Sequence, residues 1–167
     1  AGAAYSLVQW RKLAAYEAAV CRQADRVVAV SQADAEALRR LLPGINVAVV
    51  PNGVDLRTFA PGCSAPAPEM QPNAVVFSGK MDYRPNVDAA LWFADEILPR
   101  IGAHIPTVHF WIVGQQPHPR LARLADRPNI TVTGRVPDVR PYLVGAAVCV
   151  LPFRMGGGTR LKVLEAL

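Results

Sequence analysis

An α/β protein organised around a parallel, doubly wound sheet is the fold class this sequence predicts, on three observations. Short runs such as Arg26-Val-Val-Ala-Val30, Ala74-Val-Val-Phe-Ser78 and Val108-His-Phe-Trp-Ile-Val113 are apolar at almost every position, as in strands buried on both faces. Helical segments follow these runs, and strand-helix repeats of this length point to right-handed crossovers. A chain of 167 residues that is 51% hydrophobic and 19% charged carries enough apolar side chain for a packed core, which excludes disorder as the main state.

The elements follow in order. Between Tyr5 and Ala24, Leu7, Val8, Trp10, Leu13, Ala14, Tyr16 and Val20 recur at near-helical spacing with Arg11, Lys12 and Glu17 between them, predicting an amphipathic helix. A strand over 26–30 leads to Ser31, which with Asp34 three residues later is close to a capping box and opens a helix to about Leu41. Pro43-Gly44 ends it, and Asn46 to Val50 is a buried strand stopped by the turn signal Pro51-Asn-Gly53. Residues 61–72 hold four prolines among small residues and read as an interdomain linker, separating a first segment, 1–60, from a second, 73–167. The second resumes the alternation: strand Ala74–Ser78, helix Val87 to about Ile101, strand Val108–Val113, short helix Arg120–Ala125, strand Ile130–Thr133, helix Val139–Val144, strand Ala147–Pro152, and a last helix from near Thr159.

Composition narrows the function. Lys and Arg number 18 against 13 Asp and Glu, a net charge of +5, but seven of the basic residues fall in 1–60 and eleven in 61–167, with no basic run. Scattered charge suits an anionic small ligand or loose attraction to an acidic membrane surface better than a nucleic-acid stripe. Cys21, Cys63 and Cys149 lack CxxC spacing, which argues against zinc and disulfides and for a reducing compartment. The longest apolar stretches, such as 146–153, fall well short of the roughly 20 residues that span a bilayer. The chain opens without an initiator Met and stops at Leu167 inside a helical pattern, so it is expected to be a fragment truncated at both ends.

In an open α/β sheet ligands bind beyond the carboxyl ends of the strands, which directs attention to the loops after Ser78, Val113, Thr133 and Pro152. The last, Phe153-Arg-Met-Gly156-Gly157-Gly158-Thr159-Arg160, leads from strand to helix; its glycines permit close backbone approach, and the helix start favours a phosphate, with Arg154 and Arg160 adding charge. Lys80, just past a strand end, can reach the same crevice or stay solvated. Gly134-Arg135-Val136-Pro137-Asp138 can present amides to a ligand, with Asp138 better suited to cap the next helix. Glu165, amid Leu161, Val163 and Leu164, reads on spacing alone as solvated. His104, His109 and His118 have no metal-ligand spacing, and Trp92, Phe93, Phe110 and Trp111 are expected in the core.

The segments Ala24-Asp-Arg-Val-Val-Ala-Val-Ser31, Val50-Pro-Asn-Gly-Val-Asp55 with Phe59, Phe77-Ser-Gly-Lys-Met81 with Pro85-Asn-Val-Asp88, Ile112-Val-Gly114, Val132-Thr-Gly134, Val150-Leu-Pro152 and Gly158-Thr-Arg-Leu-Lys-Val-Leu-Glu-Ala-Leu167 stand in a telling order. Together they resemble retaining, nucleotide-sugar-dependent glycosyltransferases of the GT-B fold, the large family 4, group 1 type that includes sucrose synthases and many bacterial polysaccharide and lipopolysaccharide enzymes. The resemblance covers almost the whole chain. It implies two facing Rossmann-like halves, of which this chain holds the last helix-strand units of the N-terminal half, the linker, and most of the donor-binding C-terminal half.

By the same resemblance Glu165 falls on the second Glu of the family's Glu-x7-Glu motif and hydrogen-bonds the nucleotide ribose, reversing the solvated reading. Where the family usually has the first Glu, this chain has Gly157. Lys80 takes the place of an Arg that steadies the diphosphate; a second family Lys is replaced near Pro85, leaving Arg84, Arg160 or Lys162 as substitutes. The implied catalytic groups are thus Lys80 and Arg160, and the donor-binding set Gly79, Arg135, Val136, Gly157, Gly158, Thr159, Leu161 and Glu165. No metal or other cofactor is expected, because cations and amides can neutralise the leaving group. The expected partners are a nucleoside-diphosphate sugar and a polysaccharide, lipid-linked or small-molecule acceptor, with no nucleic acid. The resemblance implies a hexosyltransferase of polysaccharide biosynthesis, cytoplasmic and at most peripheral to the inner membrane face, this chain alone being expected to be inactive. A sugar-nucleotide epimerase of the same architecture and a non-catalytic nucleotide-binding module are the alternatives.

Overall fold

A computed structural model describes residues 2–60, 62–155 and 161–166 of the chain. They divide into two compact units, one of residues 2–53 and one of 54–155 with 161–166.

The first unit contains α1 (Gly2–Gln23), β1 (Val27–Ala29), α2 (Gln32–Leu41) and β2 (Val47–Val49), with β1 and β2 paired in parallel. Ser31 starts α2 as expected: its Oγ accepts from the Asp34 amide at 3.1 Å and donates to the Asp34 carboxylate at 2.6 Å. Ala29, Ala35 and Val47 form a small core with Val27, Leu38, Ile45 and Val49 around them. The predicted helix α1 is present, but its apolar stripe is not buried in this unit: Tyr5, Trp10, Leu13 and Tyr16 are exposed, and among its residues of described burial Ala18 alone is buried.

The second unit is a four-stranded, wholly parallel sheet of β3 (Ala74–Ser78), β4 (His109–Val113), β5 (Ile130–Gly134) and β6 (Val148–Cys149), in the spatial order β5-β4-β3-β6. The chain builds outward from β3 to β5 and then returns to the far side of β3, so the strand order reverses between β3 and β6. That reversal is the topological switch point at which open α/β sheets bind ligands. Alternate strand residues feed two cores: Val75, Phe77, Phe110 and Ile112 pack with Val87, Leu91, Leu98, Leu121 and Leu124 on one face. Ala74, Val76, Trp111 and Val113 pack on the other with Val136, Val139, Tyr142 and Leu143. A sheet covered on both faces is the doubly wound architecture the apolar strands require.

Three expectations change in detail. The helix predicted from Val87 to Ile101 runs as α3 (Arg84–Trp92), a π-helical turn (Phe93–Ile97) and α4 (Leu98–Gly102). The interior Pro99 has no N–H, and the Leu98 amide bonds back to the Phe93 carbonyl, so the Ala94 carbonyl has no donor left within the helix. Arg127 Nη1 supplies one at 2.8 Å. The short helix at 120 is a 3-10 turn (Pro119–Leu124), opened by His118 Nδ1, which accepts from the Arg120 amide at 3.1 Å. The strand predicted over 147–152 is regular only at Val148–Cys149, although Ala147 and Val150 add ladder bonds to the Ala74 and Val76 carbonyls.

The proline-rich segment is packed rather than extended into solvent. The unit boundary falls between Gly53 and Val54, and the described residues of the proline-rich stretch lie on the second unit. The Ala67 amide donates to Pro141, Gln71 Oε1 accepts from Trp111 Nε1 at 3.2 Å, Glu69 accepts from the Tyr142 hydroxyl at 2.9 Å, and Met70 joins the core. Prolines need no amide partner, so the few residues between them suffice to dock the segment. Among the described residues no helix is long and apolar enough to cross a membrane.

Candidate functional site

The strand exits at the carboxyl edge of the second sheet are built without side chains where they touch. Beyond β3 and β4 the ladder continues through the Gly79 amide to the Val113 carbonyl and the Met81 amide to the Gln115 carbonyl, both at 2.9 Å. Gly79 and Gly114 both have φ of +155°, and a Cβ on Gly114 would collide with the Gly79 carbonyl. The exit loop is pinned from beneath by Met81, fully buried in the core, and by Asn86, only 3% exposed, whose Nδ2 donates to the Lys80 carbonyl at 2.8 Å. At β5, Thr133 Oγ1 accepts from the Gly114 amide at 3.4 Å and donates to the Gly134 carbonyl at 2.9 Å. Asp138 then takes the role expected of it, accepting from the Arg140 amide at 2.9 Å at the start of α5 (Arg140–Gly145). Its hydrogen bonds with the Arg140 side chain, then those with the backbone, hold its carboxyl below the usual value.

These exits enclose a cavity of about 280 Å³ lined by Ser78, Gly79, Lys80, Val113, Gly114, Gln115, Arg135, Val136, Val139, Lys162 and Glu165. It therefore gathers Gly79, Lys80, Arg135, Val136 and Glu165 of the predicted set in one place. Among these lining residues the cations are Lys80, Arg135 and Lys162, against the single carboxylate of Glu165. Lys80 is tethered at its rim, its Nζ 3.2 Å from Asp82 Oδ2 with both side chains well exposed. Lys162 and Glu165 come from α6 (Leu161–Ala166), three residues apart and therefore on one helix face. Glu165 is half-buried and also borders a second cavity of about 260 Å³ beside Phe59, Cys63, Arg140 and Leu143.

Other predicted residues do not join. Leu161 is not among the lining residues and is 45% exposed, since a residue one position before Lys162 is rotated about 100° around the helix. Arg154, expected to add charge, instead forms a two-point ion pair with Asp88 at 2.7 and 3.1 Å and stacks over Trp92, its Cζ 5.3 Å from the ring centroid. Arg84 begins α3 and does not line the cavity. Gly157, Gly158, Thr159 and Arg160 lie outside the described residues. Gln115 and Val139 were not singled out in the sequence; the one signal for Gln115 is its position just past a strand-ending Gly114. No group of acidic, His and Cys side chains suited to a metal ion occurs among the described residues.

Comparison with known proteins bears directly on this arrangement. Residues 72–167 match the family described as glycosyl transferases group 1, and residues 3–58 match the family described as glycosyltransferase family 4. No curated protein matches the chain significantly. The first match spans more than half of the chain and contains the whole parallel sheet with every lining residue of the cation-bearing cavity, and on it the chain belongs to the glycosyl transferases group 1.

Proposed function

We propose that the cavity at the carboxyl edge of the second unit binds a nucleoside-diphosphate sugar, and that the chain carries the donor half of a retaining glycosyltransferase. Family membership supplies glycosyl transfer from a donor to an acceptor; the donor type, the stereochemistry and the acceptor are this reading. The observation that carries it is the cluster of Lys80, Arg135 and Lys162 against one carboxylate, beyond the carboxyl ends of β3, β4 and β5. Transfer requires a stabilised diphosphate leaving group while positive charge develops on the sugar, and fixed cations aimed at the diphosphate lower that barrier without reorganising. On this reading Glu165, which lines the same cavity, accepts from ribose hydroxyls. Val136 and Val139 offer an apolar surface to a base. On this reading protein cations neutralise the leaving group with no divalent metal. The sugar is a hexose, and the acceptor is a polysaccharide, lipid-linked or small molecule on the cytoplasmic side of a membrane.

The experiment is thermal unfolding of the chain with UDP, GDP, ADP or pyrophosphate, beside Glu165→Ala. One nucleoside diphosphate should raise the midpoint, less so in the variant, because only ligands that favour the native state shift stability this way. A cooperative transition that no nucleotide moves overturns the donor-site reading.

A further inference from the structure

Asn86, 3% exposed, is the one buried polar or charged residue among those of described burial. It belongs to a stretch whose other members, Val87, Ala89 and Ala90, are apolar residues of the core. A carboxamide taken out of water costs stability unless its hydrogen bonds are made, and the bond made here is directed at the cavity's rim: Nδ2 donates to the Lys80 carbonyl at 2.8 Å. Position explains the reach. Asn86 is the third residue of α3, and helical side chains lean toward the N-terminus, so this one turns back on the loop that leads from Lys80 into the helix. The same Nδ2 lies beside Gly79, where a Cβ would approach it to 2.8 Å. One buried amide thus meets two consecutive lining residues, Gly79 and Lys80, without lining the cavity itself.

We propose that Asn86 is a positioning residue of the donor site: by holding the Lys80 main chain, it fixes the point from which the Lys80 ammonium meets the donor's diphosphate. The proposal rests on the donor-site reading and deepens it. The Lys80 side chain is 55% exposed, so packing does little to hold its ammonium, and its reach depends on where its main chain is fixed. β4 holds the residues on either side, through the Gly79 and Met81 amides, which leaves the peptide groups of Lys80 itself facing away from that ladder. Its carbonyl is held instead by the Tyr83 amide at 3.3 Å and by Asn86 Nδ2 at 2.8 Å, the shorter of the two bonds. Without the Asn86 donor the longer bond is left, and the loop gains freedom that a diphosphate must remove on binding. A cation at a leaving group works best when its supporting residues hold it in place before the ligand arrives.

The test is calorimetric titration of the chain, of Asn86→Leu and Asn86→Ala, and of each combined with Lys80→Met, using whichever of UDP, GDP or ADP binds and its parent nucleoside. Leucine keeps the buried volume and removes the donor, while alanine removes both, so a shared effect belongs to the lost donor; unliganded melting midpoints confirm that each variant folds and report its packing cost separately. Both Asn86 variants should lose roughly 3- to 10-fold in affinity for the nucleoside diphosphate and change little for the nucleoside. In the Lys80→Met background the same substitutions should cost less than about 2-fold, because a residue that acts through Lys80 has nothing left to position. Equal losses for diphosphate and nucleoside, a loss that persists in full without Lys80, or no loss at all overturn the role of Asn86 while leaving the donor site intact. If the unaltered chain binds none of the three diphosphates, the donor-site reading itself fails and this inference with it.

Discussion

At the scale of single residues, two glycines with positive φ need their lack of a side chain for different reasons. Gly134 has φ of +68° with open space around it, so an alanine there meets only the left-handed backbone penalty of about 1 kcal/mol. Gly114 combines φ of +155° with a close main-chain neighbour, the carbonyl of Gly79, a residue whose amide is bonded to the Val113 carbonyl. Gly114→Ala should therefore cost about 3 kcal/mol, from backbone strain and from displaced main chain, and Gly134→Ala about a third of that. Urea unfolding with an unchanged m-value measures both, and equal costs would contradict the close approach. Both glycines stand in segments that the sequence already singled out, because a strand followed by glycine is a local signal. Partners are not local. Arg154 was read as a ligand-facing cation because the Asp88 that captures it is 66 residues away, and no spacing rule reaches that far.

Elements were legible to the extent that their period was pure. β3 has the predicted bounds, and the capped start of α2 was set by Ser31 and Asp34 alone. The helix from Arg84 to Gly102 was legible in length but not in its π-turn, because the turn is completed by a guanidinium from a distant loop. Pro99 was its one local signal. That loop supplies a test with a defined pH sense. Arg123 and Arg127 each bond Asp95 at 2.6 Å. Burial is the largest single influence on Asp95 and pushes its carboxyl up, but the hydrogen bonds and charges of the two arginines together hold it below the usual 3.8. A carboxyl with a lowered folded value contributes stability above the unfolded value of about 4 and loses it as pH falls through the folded value. Asp95→Asn should therefore cost roughly 1 kcal/mol at pH 7, discounted for exposure, and the deficit should shrink below about pH 4. Urea midpoints of both proteins at pH 7 and pH 3 check this; a deficit that stays constant would show that charge is not what closes the turn.

For the whole molecule, the structure resolves two compact units with very different means of holding together. The first rests on two three-residue strands and a core of Ala29, Ala35 and Val47, while α1 leaves Trp10 63% exposed. Two paired strands are marginal by themselves in water. The second has four strands covered on both faces and large buried side chains such as Phe77, Phe110 and Leu98. The proline strap could not be assigned to it from sequence, since proline content signals a lack of amide donors and says nothing about what the intervening Ala67, Met70 and Gln71 meet. Separate cores of unequal size predict that unfolding is not two-state. Amides of Val28 and Ala29 in β1 should exchange through a lower-energy opening than those of Val76 and Ile112 in β3 and β4. A bound nucleoside diphosphate should raise the opening energy of the second set alone, because every lining residue of the cavity belongs to the second unit. Residue-resolved hydrogen exchange, with and without nucleotide, separates the two. If both sets of amides exchange with one energy and rise together on binding, the units unfold as one, and the small core of the first is not what limits it.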